Sequence, residues 1–290
     1  MQGCRNAQGS PGAFRYSGTR GFLLSDIRAF LHSCISAFRA APDPVLSVLL
    51  APSCAACGVL LEHPTRGPVC EPCWRSILPL TPPLCDRCGD PLPAWRDISI
   101  PLATCARCRR GAQDVDRGRA IGGYDGALRA IIHALKYEGR RSLARPLAEL
   151  MRSRGAEMLR GADCVVPVPL HWSRRRQRGF NQASDLARHL GLPALRLLRR
   201  TRPTATQTGL SAAKRHGNVR GAFAMVRGLD GLVGLERQER RDGPDGLIVV
   251  LVDDVSTTGA TLNACARVLK RAGVREVRAL TAARVVTSPP

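Results

Sequence analysis

Long hydrophobic runs are missing from this 290-residue chain. A membrane-crossing helix needs about 20 consecutive apolar residues, and the nearest approach, Val45 to Ala51, is far too short. Residues 1–30 also lack a compact apolar stretch ending in a small-residue cleavage site, which argues against a secretory signal. The expectation is a cytoplasmic protein with no transmembrane segment. Aromatic residues are few, 4% against a hydrophobic content of 44%, so a core must be built from Val, Leu, Ile and Ala, as in an α/β protein rather than a disordered chain. Acidic residues are scarce: 23 Asp plus Glu face 44 Lys plus Arg, a formal charge of +21. That excess favours phosphate-rich partners, although an Arg-rich, Lys-poor composition also follows from genomic base composition. Its distribution says more, because residues 164–227 hold thirteen Lys or Arg and one acid, Asp185.

Cysteine is plentiful, and its spacing is the most specific local signal. Eight of the twelve cysteines form four C-x-x-C pairs, Cys54/Cys57, Cys70/Cys73, Cys85/Cys88 and Cys105/Cys108. Two intervening residues let both thiolates of a knuckle face one metal, and two knuckles complete a tetrahedral Cys₄ site closed to further ligands. The first and third pairs are each followed by glycine, Gly58 and Gly89, so each opens its own ribbon. The first pair then partners the second, and the third the fourth, rather than interleaving. A glycine at that place takes positive φ and leaves its N–H able to approach a thiolate. About two structural Zn²⁺ ions are expected, supplying much of the module's stability; disulfides would need an oxidising compartment. Cys164 and Cys265 lie in apolar contexts and read as small core residues, while Cys4 and Cys34 fall in the N-terminal extension.

From Leu247 the chain runs Leu-Ile-Val-Val-Leu-Val, then Asp253-Asp254, then a loop of small and hydroxyl residues to Thr261, then apolar residues at helical spacing. This is a buried parallel strand, an acidic pair, a phosphate-cradling loop and a helix whose positive end faces the loop. Carboxylates repel phosphate, so the partner that suits them is a sugar diol, and a ribose 5-phosphate unit satisfies both features.

The segment Val252–Thr261 resembles the phosphoribosyl diphosphate motif of type I phosphoribosyltransferases. The resemblance implies that Asp253 and Asp254 meet the ribose hydroxyls and that Ser256, Thr257, Thr258, Gly259, Ala260 and Thr261 hold the 5′-phosphate, with Val255 between. The strand Asp163–His171, followed by Trp172-Ser-Arg-Arg-Arg-Gln-Arg178-Gly179-Phe180-Asn181-Gln182, is similar to the family's pyrophosphate loop, which makes Pro169, Leu170, His171, Arg178 and Asn181 candidates. Residues 202–223 resemble the mobile loop that closes over the ligand. Together with the cysteine knuckles these segments resemble the ComF family, which includes competence proteins, from about Val45 to Val286. The same resemblance places Lys136, at the end of a helix with Leu128, Ile131, Ile132 and Leu135 on one face, near the ligand, and Gln207 joins it as a candidate. A long polar stretch, 228–246, reads as a surface excursion.

The expected organisation is an extension (1–44), a double zinc ribbon (45–112) and a phosphoribosyltransferase-like α/β domain (113–290) with a mostly parallel sheet and helices on both faces. Two functions follow. One is a protein of DNA uptake, working with uptake-machinery partners, whose basic surface at Arg174–Arg178 and Lys214/Arg215, aided by Trp74 or Trp95, binds single-stranded DNA beside a phosphoribosyl diphosphate site. The other is an active phosphoribosyltransferase using Mg²⁺ and an unidentified acceptor, for which no catalytic residue or base-binding hood is legible. Beside these two functions stands a bare reading, a zinc-dependent scaffold without ligand binding.

Overall fold

The computed structural model describes residues 52–92, 104–111, 113–202, 221–226 and 246–286. Gln207, Trp95, Lys214 and Arg215, the extension 1–44 and the excursion 228–246 up to its last residue lie outside them.

Two short helices, α1 (Glu71–Arg75) and α2 (Ala106–Arg110), each begin directly after the first cysteine of a knuckle. Strand β1 (Arg117–Ala120) then leads into helix α3 (Gly126–Tyr137), and α4 (Ala144–Arg154) and α5 (Ala156–Leu159) follow. Strand β2 (Cys164–Pro167), helices α6 (Trp172–Arg178) and α7 (Gln182–Ala187), and strands β3 (Leu198–Arg200) and β4 (Phe223–Met225) come next. The chain ends on β5 (Ile248–Ser256), α8 (Ala260–Arg271) and β6 (Glu276–Arg284).

The main sheet is four parallel strands in the order β1-β6-β5-β2, with β3 and β4 forming a separate antiparallel pair. The apolar run of β5 is central, and its alternation explains why both faces are hydrophobic. Val250 and Val252 pack with Leu128, Ile131, Leu147 and Leu186 on one face, whereas Val249 and Leu251 pack with Leu262, Cys265 and Leu269 on the other. Helices α3 and α8 bury the same i, i+3, i+4, i+7 stripe: Leu128, Ile131, Ile132, Leu135 in one and Leu262, Cys265, Ala266, Leu269 in the other. Cys164 and Cys265 are fully buried, as their contexts predict.

After β5 the chain crosses by α8 to β6 on one side; after β2 it leaves on the opposite side, where Val165 bridges Ala194. The C-terminal ends of β2 and β5 therefore flank the point where the winding reverses, the place where open α/β sheets leave a crevice.

The ribbons pack against this domain. Cys54, Leu61, Val69 and Ile77 of the first share a core with α3 and α4. In the second, Gly89 has φ +70°, and a Cβ there would stand 2.6 Å from the Gly118 carbonyl oxygen of β1, so only glycine satisfies both the turn and the contact.

Candidate functional site

The cysteines gather into two tetrads, Cys54/Cys57/Cys70/Cys73 and Cys85/Cys88/Cys105/Cys108, each with its sulfurs within 4.8 Å of one another. Knuckle one pairs with two, and three with four, as the repeated glycine predicts. Cys57 Sγ and Cys70 Sγ are 3.8 Å apart, and Cys88 Sγ and Cys105 Sγ 3.7 Å. Four thiolates at about 2.3 Å from a central zinc form a tetrahedron with edges of about 3.8 Å, so both tetrads fit a structural Zn²⁺. The amides of Ala56 and Cys70 donate to Cys54 Sγ, and that of Cys105 to Cys85 Sγ. Burial acts to raise Cys54, yet the amide donors bring it down to about 6. Crowding among the sulfurs pulls Cys85 and Cys105 down and pushes Cys88 and Cys108 up, so the cluster shares protons that a cation would displace. The glycine amides behave differently from the expectation. Gly58 and Gly89 donate to the carbonyls of Cys54 and Cys85 at 2.9 and 2.8 Å, closing each turn rather than bonding sulfur.

At the crevice, β5 delivers Asp253, Asp254, Val255 and Ser256, and the turn Thr257–Gly259 leads into α8. Gly259 caps this helix at φ +77°, and Ala260 N–H donates to Thr258 Oγ1 at 3.4 Å; Thr261 follows in the helix's first turn. Val168 N–H donates to the Val252 carbonyl at 2.9 Å, which sets the turn after β2, Pro169–His171, beside the acidic pair. Lys136 arrives from the end of α3. Its Nζ lies 2.7 Å from Asp254 Oδ1, with both side chains largely buried. Burial would lower Lys136, but the facing charges of Asp254 and Asp253 outweigh it and the net shift is upward. Asp253 is pushed up to about 7 by burial and by the neighbouring Asp254 charge, with Lys136 and Arg200 acting against that rise. Arg200, on β3 and stacked 5.2 Å from the Phe223 ring centroid, is a site neighbour that sequence reasoning missed.

The candidate pyrophosphate residues divide. His171 and Asn181 cap helices: Ser173 N–H donates to His171 Nδ1 at 3.4 Å, and Ala183 N–H to Asn181 Oδ1 at 3.2 Å. Asn181 Nδ2 also donates to the Val168 carbonyl at 3.1 Å, fixing the turn. The arginine segment expected as a loop forms helix α6, closed by Gly179 at φ +75°. Arg178 extends over the Tyr137 ring at 5.0 Å and donates to Gln182 Oε1 at 3.2 Å. Beside it, Tyr137 and Trp172 are 62% and 64% exposed, with Arg176 5.7 Å from the Trp172 centroid. Trp74, in contrast, is half-buried against the core.

Comparison with known proteins matches residues 45–109 to a double zinc ribbon domain and 176–288 to a phosphoribosyl transferase domain. The chain is 31% identical to competence protein F of Haemophilus influenzae over 77% of its own length and 93% of that protein. It is 34% identical to the DNA utilization protein YhgH of Salmonella typhimurium, covering 72% of this chain and 87% of the other. With the competence protein ComFC of Bacillus subtilis the identity is 23%, over 71% and 79%.

Proposed function

The chain belongs to the ComF family of competence and DNA utilization proteins, and from that premise we propose that its α/β domain binds phosphoribosyl diphosphate at the β5–α8 turn while its basic surface engages single-stranded DNA during uptake. The observation that carries the ligand reading is the acidic pair at the end of β5. A lysine 2.7 Å from Asp254 balances one carboxylate, and the hydroxyl-rich turn enters a twelve-residue helix. Carboxylates to accept from a ribose diol thus lie beside a helix N-terminus suited to a phosphate. Asp253 and Asp254 also suit Mg²⁺ held with the ligand, where the ion would offset the pyrophosphate charge.

Support for the DNA reading comes from α6 and its surroundings. Exposed Trp172 and Tyr137 are each paired with an arginine, Arg176 and Arg178, the combination of flat rings and cations on which unpaired bases and phosphates settle. A basic hollow lined by Arg141, Arg175, Arg188 and Arg196 around Asp185 also takes in Pro169, Leu170 and Asn181, so it abuts the turn after β2. Among the described residues no helix is long and apolar enough to cross a membrane.

The test is fluorescence anisotropy with a labelled oligothymidylate at rising salt, repeated with phosphoribosyl diphosphate and Mg²⁺. Salt-sensitive binding that persists with the ligand bound supports separate surfaces. Complete displacement assigns the arginines to pyrophosphate, and absence of binding at low salt removes the DNA reading. Pyrophosphate release over a panel of bases would identify a transferase.

A further inference from the structure

Arg284, the last residue of β6, is 2% exposed, and neither the ligand nor the DNA reading uses it. Its Nε donates to Asp90 Oδ1 at 2.6 Å. Its Nη1 donates to the Cys88 carbonyl at 2.9 Å and to Ser256 Oγ at 3.4 Å. Its Nη2 finds no hydrogen-bond partner among the described residues. Asp90 accepts on its other oxygen from Arg107 Nη2 at 2.8 Å, and that nitrogen lies 3.7 Å from Cys88 Sγ. The Asp90 carbonyl in turn accepts from Cys85 N–H at 2.8 Å, within the knuckle itself. One buried side chain therefore joins the second tetrad to Ser256, its register partner where β5 ends and the phosphate turn begins.

The arrangement is directional. A buried guanidinium requires a paired anion, and Asp90 is held in place by a knuckle that closes around a cation. Because the guanidinium fork is rigid, fixing Nε and Nη1 on Asp90 and Cys88 also fixes the point offered to Ser256. The first ribbon meets the α/β domain otherwise, through apolar packing and arginine contacts to its backbone, Arg140 to the Ser53 carbonyl at 3.2 Å and Arg154 to the Ile77 carbonyl at 2.8 Å, none of which reaches the phosphate turn.

We infer that metal in the Cys85/Cys88/Cys105/Cys108 tetrad positions the phosphate turn through Asp90 and Arg284, so that ligand affinity depends on occupancy of that tetrad. The dependence on ligand rests on the ribose-phosphate reading above; the link from metal to turn does not. Arg284 is a positioning residue here.

The experiment uses the full-length zinc-loaded protein, Arg284→Lys, Ser256→Ala and Cys105→Ser. Amide exchange of residues 254–262 is measured without ligand, and phosphoribosyl diphosphate affinity with Mg²⁺ by calorimetry. Lysine keeps the charge beside Asp90 but cannot reach Cys88 and Ser256 together. Arg284→Lys and Ser256→Ala are expected to retain both zinc ions, exchange faster at 254–262 but not at 248–252, and bind roughly tenfold more weakly. Cys105→Ser, short of one zinc, should do the same, and unchanged turn exchange in it would overturn the dependence on metal; if it fails to fold, exchange of the wild type after partial zinc removal tests the metal while Arg284→Lys tests the Asp90–Arg284–Ser256 link. Turn exchange and affinity unchanged in Arg284→Lys would overturn the inference. If the wild type binds no phosphoribosyl diphosphate, the ribose-phosphate reading fails by itself. The exchange comparison then decides the link: faster turn exchange in the variants upholds it, and unchanged exchange overturns it.

Discussion

Asp253 carries the clearest consequence of its surroundings. An ordinary aspartate titrates near 4, whereas burial and the adjacent Asp254 charge push Asp253 up to about 7. The folded protein thus holds this proton more tightly than the unfolded chain. Its contribution to stability is fully present below about pH 4 and is lost as pH rises through 7. Melting temperatures of the ligand-free protein should fall between pH 5 and 8 by more in the wild type than in Asp253→Asn. Ligand affinity should move oppositely, since an ionised carboxylate is the better acceptor for a diol or for Mg²⁺. Calorimetry at pH 6, 7 and 8 is expected to show affinity rising in the wild type and flat in Asp253→Asn. Lys136→Met would leave Asp254 largely buried without its 2.7 Å partner, and a loss of about 3 kcal/mol is expected in urea unfolding; a change under about 0.5 kcal/mol, the size of an ordinary surface substitution, would show that the pair is solvated.

Among the elements, those with local signals were legible. The C-x-x-C spacing and its repeated glycine gave the knuckle pairing, and the apolar run of β5 and the stripe of α3 gave a buried strand and a helix face. Contacts between distant segments were not. Arg284 and Asp90 are 194 positions apart, and no periodicity joins them, although an arginine closing β6 after the mostly apolar stretch 279–283 is a sign of a buried partner. Trp74, offered for DNA stacking beside the zinc module, is half-buried against the core, whereas Trp172 stands exposed on α6, a helix that buries none of its residues. For that helix, Trp172→Ala should weaken single-stranded DNA binding by about 1–3 kcal/mol while leaving phosphoribosyl diphosphate affinity unchanged. Equal DNA affinity in the variant would show that α6 contacts no bases.

At the scale of the whole molecule, the ribbons and the α/β domain share structure. The first ribbon places Cys54, Leu61, Val69 and Ile77 in the core of α3 and α4, and the second is tied by Asp90 to Arg284 at the C-terminal end of the interior strand β6. Metal removal should therefore weaken both parts together: a chelator is expected to lower a single unfolding transition, and two independent transitions would show that the ribbons are separate units. The claim that the crevice at the end of β5 is a ribose-phosphate site is tested most directly by isothermal titration of phosphoribosyl diphosphate with Mg²⁺ into the wild type and into the double variant Asp253→Ala/Asp254→Ala. Saturable binding in the wild type, abolished in the variant while both zinc ions remain, is the expected result; equal affinity in the two proteins, or none in either, would contradict it.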